Sequence, residues 1–260
     1  MTLGASKRTK TKTFARLSEA MREIHTIETD KGFISFRVDS AGSVPQDPKS
    51  NRSEPETFEW IRTYLKDGEV LWDIGANIGM FSLYAALERK NSILSIEPSA
   101  ESYATLNANI RLNKLDDQIK ALCFAGGKET NLLQLYMKDP SSGASHNSID
   151  SNTNQFGVFE VTGLQSVVAV KLDDLLNLKG VPSPDHIKLD VDGKETEILQ
   201  GASNVLTAVK SILIEIEGSN LEKNLIIIEE IIFESGLTED LSWRGKGSGR
   251  NRLYKRDIST

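Results

Sequence analysis

The feature that most constrains the fold is an alternation of short apolar runs with longer stretches of helical period, beginning near residue 70. Strands that follow one another in parallel need a crossover connection, and an α-helix is the usual one. The pattern therefore predicts an α/β domain with a mostly parallel sheet and helices on both faces. Strands are predicted at 70–74, 93–97, 119–125, 132–137, 167–172, 186–190, 211–216, 237–243 and 252–254, and helices at 78–89, 100–113, 194–206 and 221–235.

The chain before this alternation has a different composition. Residues 14–24 have the spacing of a short helix, and residues 33–38 alternate like one half of a hairpin. Ser53 and Glu56 form a capping box, which predicts the start of a further helix. The predicted organisation is a flexible basic terminus at 1–13, a small N-terminal helix and hairpin extension at 14–52, and the main domain at 53–260.

Composition argues against several classes of protein. The 260 residues carry a formal net charge of −6, which disfavours nonspecific binding to nucleic acid. Because no run approaches the roughly 20 apolar residues of a membrane span, and the first residues lack a secretory signal core, a soluble cytoplasmic protein is expected. The single cysteine, Cys123, is expected to be a buried apolar residue on a strand. The basic clusters at both ends are expected to be solvated surface.

The first strand of the alternation leads into a glycine turn and then a helix, an order typical of nucleotide binding. A dinucleotide fingerprint needs glycine where Asp73 and Ile78 stand, and a carboxylate there would repel a pyrophosphate. The same carboxylate suits a cofactor that carries an ammonium and a sulfonium. The turn, through Asp73, Gly75, Asn77 and Gly79, is therefore predicted to bind S-adenosylmethionine.

An acidic residue ends the second strand. Glu97 lies about 20 residues beyond the glycines, where dinucleotide folds hold the ribose. A carboxylate accepts hydrogen bonds from both ribose hydroxyls, and charge-assisted bonds are stronger than neutral ones. Glu97 is therefore predicted to bind the ribose of the same cofactor.

Several short blocks of this chain share their order and spacing with one family. The blocks are 73–79, 96–98, 106–109, 172–175, 187–195, 199–202 and 214–215. With them the chain resembles the FkbM family of methyltransferases. The resemblance implies a Rossmann-like seven-stranded sheet whose last strand is antiparallel, S-adenosylmethionine as the methyl donor, and O-methylation of a small molecule or glycan. The family pattern usually has a glutamate where this chain has Asp192.

Three charged residues, Lys188, Asp190 and Asp192, alternate at the end of a predicted strand, where open α/β sheets bind ligands. Methyl transfer to a hydroxyl needs alignment and a base that removes the proton. Asp190 is predicted to be that base or to orient the acceptor, whereas Asp192 takes part or caps the next helix. We expect a site without a metal; the alternative is a divalent cation held by Asp190, Asp192 and Glu215.

Of the three histidines, one is a catalytic candidate. His146 lies in the polar stretch 139–157, which has the length of a lid, and a loop histidine can act as a base near neutral pH. His25 and His186 are expected to be structural, because one lies in the extension and the other begins a strand.

The acceptor predicted from these features is a hydroxyl on a saccharide or another small metabolite, with no nucleic-acid partner. The basic segment 244–250 could grip a phosphate, although a glycine-rich turn between two strands explains it as well. Oligomerisation stays open. Two other classes remain: a noncatalytic binding protein that kept the fold, and an NAD-dependent oxidoreductase, which Asp73 disfavours.

Overall fold

The computed structural model describes residues 6–47, 54–216 and 221–257. The strands are β1 (Glu23–Thr29), β2 (Gly32–Val38), β3 (Val70–Ile74), β4 (Ser92–Ile96), β5 (Ile119–Leu122), β6 (Ala125–Gly127), β7 (Asn131–Met137), β8 (Ser148–Ile149), β9 (Thr153–Asn154), β10 (Gly157–Val158), β11 (Gly163–Lys171), β12 (His186–Leu189), β13 (Ser211–Glu215), β14 (Thr238–Glu239) and β15 (Asn251–Lys255). The helices are α1 (Lys7–Ala20), α2 (Pro55–Tyr64), α3 (Met80–Glu88), α4 (Ala100–Leu112), α5 (Leu172–Leu175), α6 (Glu195–Gln200), α7 (Ser203–Ala208) and α8 (Leu221–Glu234), with a 3₁₀ turn at Leu241–Trp243.

A seven-stranded sheet lies at the centre, with the strand order β14-β15-β13-β12-β3-β4-β5. The strands from β13 to β5 are parallel, and β15 is antiparallel to both of its neighbours. Strands with helices on both faces are buried along their length, as every residue of β12 is. The predicted Rossmann-like α/β sheet with an antiparallel last strand is confirmed.

The order of the strands reverses between β3 and β12. From β3 the chain builds outward through β4 and β5, and β12 then returns to the other side of β3. A crevice opens at such a switch point, outside the carboxyl ends of the strands. The two backbones approach closely there, because a Cβ on Gly75 would lie 1.8 Å from the Asp190 carbonyl oxygen. Only glycine fits this approach, and its φ of +85° favours glycine too.

Two of the predicted strands form a second sheet. Strands β7 and β11 pair antiparallel, and β6 and β8 flank them in the order β6-β11-β7-β8. Their buried side chains, among them Leu135, Met137 and Val167, form a separate apolar cluster. Because β8 lies inside the predicted lid at 139–157, its pairing with β7 ties that lid to the second sheet.

The N-terminal extension begins its helix earlier than predicted. Helix α1 starts at Lys7, and Ser6 Oγ accepts a hydrogen bond from Thr9 N as its cap. Residues 7–13 are therefore helical, and the flexibility of this terminus stays a prediction. This cap and the helix-forming lysine and arginine side chains favour a helix there, although none of its residues is buried.

The hairpin of β1 and β2 packs on helix α4. Asn109 Oδ1 accepts a hydrogen bond from Arg37 N at 2.8 Å, and Asn113 Oδ1 accepts one from Ser35 N at 2.9 Å. Phe36 is fully buried in the apolar cluster between them. These contacts place the loop that follows the hairpin beside the crevice.

The predicted helix at 194–206 is broken into α6 and α7. A Cβ on Gly201 would lie 2.1 Å from the Gly127 carbonyl oxygen, so the chain bends where it passes the second sheet. The Asp173 carboxylate then caps α7 by accepting a hydrogen bond from Asn204 N at 2.9 Å. Helical period predicted one helix here and not the break, which depends on a distant strand.

Two further predictions were wrong. The strand predicted at 237–243 is confined to β14, because the Asp240 carboxylate accepts a hydrogen bond from Ser242 N and favours a 3₁₀ turn. Cys123 is exposed, since it lies in the connection between β5 and β6 and not on a strand.

Helix α2 begins at Pro55 and receives no side-chain cap from Glu54. Ser53, the first residue of the predicted capping box, lies outside the described residues. Within the described ranges, every helix is too short or too polar to cross a membrane.

Candidate active site

The crevice at the switch point is a cavity of about 460 Å³. It is of the size that small-molecule sites usually have. Lid residues 143–149 and the loop after the hairpin contribute to its wall. We call the part around β3 and β4 the turn half; it includes Gly75, Ala76, Asn77, Glu97, Pro98 and Ser99. We call the part around β12 and β13 the charged half; it includes Glu54, Lys188, Asp190, Glu215 and Arg250.

The glycine turn directs backbone amides at Glu97. Asn77 has a φ of +49°, which asparagine tolerates better than most residues. Its N–H donates to Glu97 Oε2 at 2.8 Å, and Ser99 N donates to Glu97 Oε1 at 2.8 Å. Burial raises the pKa of the Glu97 carboxyl to about 7 even though these two bonds oppose the shift. The structure thus holds Glu97 rigidly on the cavity wall, with acceptor capacity left on each oxygen.

Asp73 lies behind the glycine turn and does not line the cavity. Its side chain is fully buried and accepts a hydrogen bond from Ser82 Oγ, while its Oδ1 accepts none from the described residues. Burial raises the pKa of its carboxyl, and the Lys188 ammonium and Ser82 oppose that shift. The structure therefore does not bring Asp73 onto the wall beside Gly75 and Glu97.

Lys188 and Asp190 form a buried ion pair in the charged half. Lys188 Nζ lies 2.5 Å from Asp190 Oδ2 and 4.6 Å from the centroid of the Phe81 ring. Burial alone would lower the pKa of the Lys188 ammonium, but Asp190 and Asp73 outweigh it and hold this pKa above its usual value. Burial would raise the pKa of the Asp190 carboxyl, but Lys188, the hydrogen bond with Glu215 and Arg250 together hold this pKa below its usual value. Asp190 is therefore ionised.

A second carboxyl group contacts Asp190 and is neutral. Burial and the negative charge of Asp190 raise the pKa of Glu215 to about 10, so Glu215 is protonated at neutral pH and donates a hydrogen bond to Asp190. Arg250 Nη1 lies 3.0 Å from Glu215 Oε1, and Arg250 Nη2 lies 3.6 Å from Glu54 Oε1. The charged half thus presents cations, an anion and a neutral carboxyl group to a ligand.

Replacing Glu215 by glutamine tests this protonation state. An amide keeps a donor for Asp190 and an oxygen for Arg250, so Glu215→Gln should change the free energy of unfolding by less than about 1 kcal/mol at pH 7. Glu215→Ala should cost about 1 to 3 kcal/mol, because buried polar groups lose a partner. Urea denaturation measures both, and equal losses in the two variants would mean that Glu215 is ionised.

The predicted lid contributes His146 to the wall of this cavity, so the structure brings both catalytic candidates, His146 and Asp190, to one site. The lid is fixed at its start, where Asn77 Nδ2 donates to the Gly143 carbonyl oxygen at 3.3 Å. His146 Nδ1 lies 3.3 Å from Asp192 Oδ1.

The three carboxylates of the metal alternative are not grouped. Asp190 and Glu215 contact each other, whereas Asp192 contacts His146 and Gln155 on the lid. Across the described part of the chain, no three histidine, cysteine, aspartate or glutamate side chains are arranged to hold a metal ion.

The other two histidines lie away from the cavity. His186 is buried at the start of β12, at the amino ends of the strands and therefore opposite the cavity. Its ring contacts Ser211 Oγ at 2.7 Å and Glu69 Oε2 at 3.0 Å. His25 is exposed on β1.

Sequence reasoning assigned no role to Glu54, considered Arg250 only as part of a segment that could grip a phosphate, and did not predict that Lys188 is buried beside Asp190. Lysine between the apolar residues Ile187 and Leu189 was a usable signal, because a buried ammonium needs a charged partner. Arg250 belongs to the basic C-terminal cluster, which was expected to be solvated. In the structure, residues of this cluster form ion pairs with acidic side chains, as Arg244 does with Glu239.

Residues 73–236 match the model of the Methyltransferase FkbM domain. The chain belongs to the FkbM methyltransferase family. This confirms the resemblance seen in the sequence, and the names of the relatives support a methyltransferase function.

Two relatives and one solved structure illustrate the family. The chain is 22% identical over 191 residues to the hexuronic acid methyltransferase AglP of Haloferax volcanii, covering 74% of this chain and 72% of that protein. It is 22% identical to the 31-O-demethyl-FK506 methyltransferase FkbM of Streptomyces tacrolimicus, covering 54% of this chain and 62% of that one. The crystal structure of FkbM from Methylobacillus flagellatus has a TM-score of 0.51 and 18% identity, over 77% of this chain and 47% of that chain. The chain thus spans less than two thirds of the latter two.

Proposed function

We propose that this protein transfers the methyl group of S-adenosylmethionine to a hydroxyl oxygen on a saccharide or a related small metabolite. The observation that carries the proposal is a single cavity with two chemically different halves. The turn half suits a nucleoside, and the charged half, with His146 beside it, suits a polar acceptor.

The turn half has the groups that S-adenosylmethionine requires. Glu97 can accept the two ribose hydroxyls, because each of its oxygens already accepts only one backbone N–H. Gly75 leaves space where any Cβ would collide with Asp190. Behind the turn, Asp73 has a buried Oδ1 that accepts no hydrogen bond from the described residues. We propose Asp73 as a positioning residue, since it does not reach the cavity.

The charged half can hold the acceptor hydroxyl. S-adenosylmethionine held by the turn half would supply an electrophilic methyl group, with the neutral thioether as the leaving group. Asp190 stays ionised beside Lys188, so it orients the hydroxyl by accepting its hydrogen bond and is a weak base. His146 is the group proposed to take the proton, because imidazole can do so near neutral pH.

A saccharide fits the same half. Its cationic side chains offer hydrogen-bond donors to several hydroxyl groups, and Asp190 and Glu215 offer acceptors. The rings of Phe58 and Phe81 also border the cavity, with their centroids 5.1 Å apart. Mixed hydrogen-bonding and aromatic walls recognise the polar edges and apolar faces of a sugar. AglP, one relative, is named for its action on hexuronic acid.

Removal of the Glu97 carboxylate should weaken cofactor binding. Glu97→Ala loses two charge-assisted hydrogen bonds of about 1.5 to 3 kcal/mol each, so the Kd for S-adenosylmethionine should rise on the order of a hundredfold or more. Since the pKa of Glu97 is about 7, wild-type affinity should fall as the pH drops below 7 and level off above it. Calorimetry from pH 6 to 8 measures both effects.

The control is Glu101→Ala, which removes an exposed carboxylate from the start of α4 and should leave the Kd unchanged. An unchanged Kd in Glu97→Ala would place the ribose elsewhere.

The proposed function is tested by incubating the purified protein with methyl-labelled S-adenosylmethionine and either methyl glucuronide, methyl glucoside or a cell extract. Mass spectrometry of the labelled product should locate the methyl group on a hydroxyl oxygen. Binding of NAD without S-adenosylmethionine would favour an oxidoreductase, whereas cofactor binding with no labelled product in any mixture would favour a noncatalytic protein.

A further inference from the structure

Asp192 joins the body of the domain to the lid. It lies in the turn between β12 and α6, and its Oδ1 is 3.3 Å from Nδ1 of His146 on the lid loop. Both residues line the cavity. His146 has a part in the proposed reaction, whereas the role of Asp192, which contacts it, has not been assigned.

We propose that Asp192 is a positioning residue that fixes the His146 imidazole in the Nδ1–H tautomer, with Nε2 as the nitrogen that takes the acceptor proton. The proposal rests on the proposed function for its catalytic meaning. Its structural part, the tautomer, does not depend on that function.

The chemistry of the two groups fixes which atom can donate. Nδ1 and Oδ1 lie 3.3 Å apart, and because a carboxylate oxygen accepts hydrogen bonds, Nδ1 is the donor in any hydrogen bond between them. In a neutral imidazole the other nitrogen, Nε2, is then the basic one. When the acceptor hydroxyl loses its proton to Nε2, the ring becomes a cation, and the adjacent Asp192 carboxylate stabilises it. The same division of roles operates in Ser-His-Asp triads.

The lid holds the ring from the other sides. The backbone of His146 has a φ of +65°, and its carbonyl oxygen accepts a hydrogen bond from Asn154 Nδ2 at 2.7 Å. The Phe156 ring stands edge-on to the imidazole, with centroids 4.9 Å apart and an angle of 89°. Because the backbone and one edge of the ring are held in this way, Nδ1 is kept against Asp192.

A second lid residue, Gln155, also contacts Asp192. Its replacement distinguishes an effect on the orientation of the His146 ring from an effect on the attachment of the lid. Gln155 Nε2 donates to the same oxygen, Asp192 Oδ1, at 3.1 Å. Loss of Asp192 removes both contacts, whereas Gln155→Ala removes the lid contact and keeps the carboxylate for His146. Gln155→Ala is therefore the matched control for an effect that comes only from loosening the lid.

The test is ¹⁵N NMR of the histidine side chains in the full-length protein without ligand, at a pH where His146 is neutral. The chain has three histidines, and a His146→Gln sample identifies the signals of His146. We expect the Nδ1–H pattern in the wild type and in Gln155→Ala, and a predominantly Nε2–H pattern in Asp192→Ala. An unchanged tautomer in Asp192→Ala, or the same shift in Gln155→Ala, would overturn the proposal.

The catalytic part is tested by kinetics with the acceptor that the methyl-labelling experiment identifies. Asp192→Ala should lower kcat by about 10² or more, the lower end of general-base effects, with little change in the KM for S-adenosylmethionine, and Gln155→Ala should lose less. An Asp192→Ala enzyme with wild-type kcat would contradict a role in proton transfer. If the tautomer result holds but the cofactor does not bind, the proposed function fails and the structural role of Asp192 stands.

Discussion

His146→Gln should lower kcat by about 10² to 10⁴, the usual contribution of a general base, and should leave the Kd for S-adenosylmethionine unchanged. Glutamine retains hydrogen-bonding capacity but cannot take up a proton at neutral pH. The side chain of His146 is 41% exposed and lies on the lid, away from Glu97, so neither folding nor the turn half should be disturbed. Initial rates of label transfer and calorimetry measure the two quantities.

The matched control is His25→Gln, which changes an exposed histidine on β1 and should keep the wild-type rate. Full turnover in His146→Gln would assign proton removal to another group. Asp190 would then be the remaining candidate on the wall, and its lowered pKa makes it a weaker base.

Lys188→Met should destabilise the fold by about 3 to 5 kcal/mol at neutral pH, because removal of one partner leaves a buried charge uncompensated. Lys188 is 1% exposed and is paired with Asp190, and it also lies near the buried Asp73. Without the ammonium both carboxyl groups favour their neutral forms. The loss should therefore be smaller at pH 5 than at pH 8, as measured by urea denaturation.

A surface lysine provides the comparison. Lys210 pairs with Glu69 and Asp185 at 2.6 and 2.8 Å, but its side chain is 45% exposed. Lys210→Met should cost less than about 1 kcal/mol, since water screens the pair. If both lysine variants lost the same free energy of unfolding, burial of the Lys188–Asp190 pair would not explain its contribution to stability.

The sequence predicted the sheet, the family and most of the turn half. Apolar period and crossover length are local properties, so they are readable without coordinates. Gly75 and Glu97 were also identified locally, because a turn after one strand and an acid after the next must meet at the same edge of a parallel sheet. The same rule placed Asp190 at the cavity.

Local pattern was insufficient where side-chain direction or distant pairing decides the result. Asp73 lies on β3, two residues before Gly75, yet its side chain points behind the turn to Ser82. The second sheet depends on pairing between β7 and β11, which are separated by the lid. Cys123 is exposed because its strand ends one residue earlier, at Leu122.

The sequence alone indicated a tight glycine turn and an acid at the next strand end, and it singled out a loop histidine outside the turn half; the roles of these residues in binding and proton transfer stay predictions. The tertiary structure alone decided which charged groups share the cavity, joining Glu54 and Arg250 to Glu215 and placing His146 against Asp192. The reason is physical. Turn geometry and strand period are set by neighbouring residues, whereas ionisation and hydrogen-bond partners in a buried site depend on residues that only folding brings together.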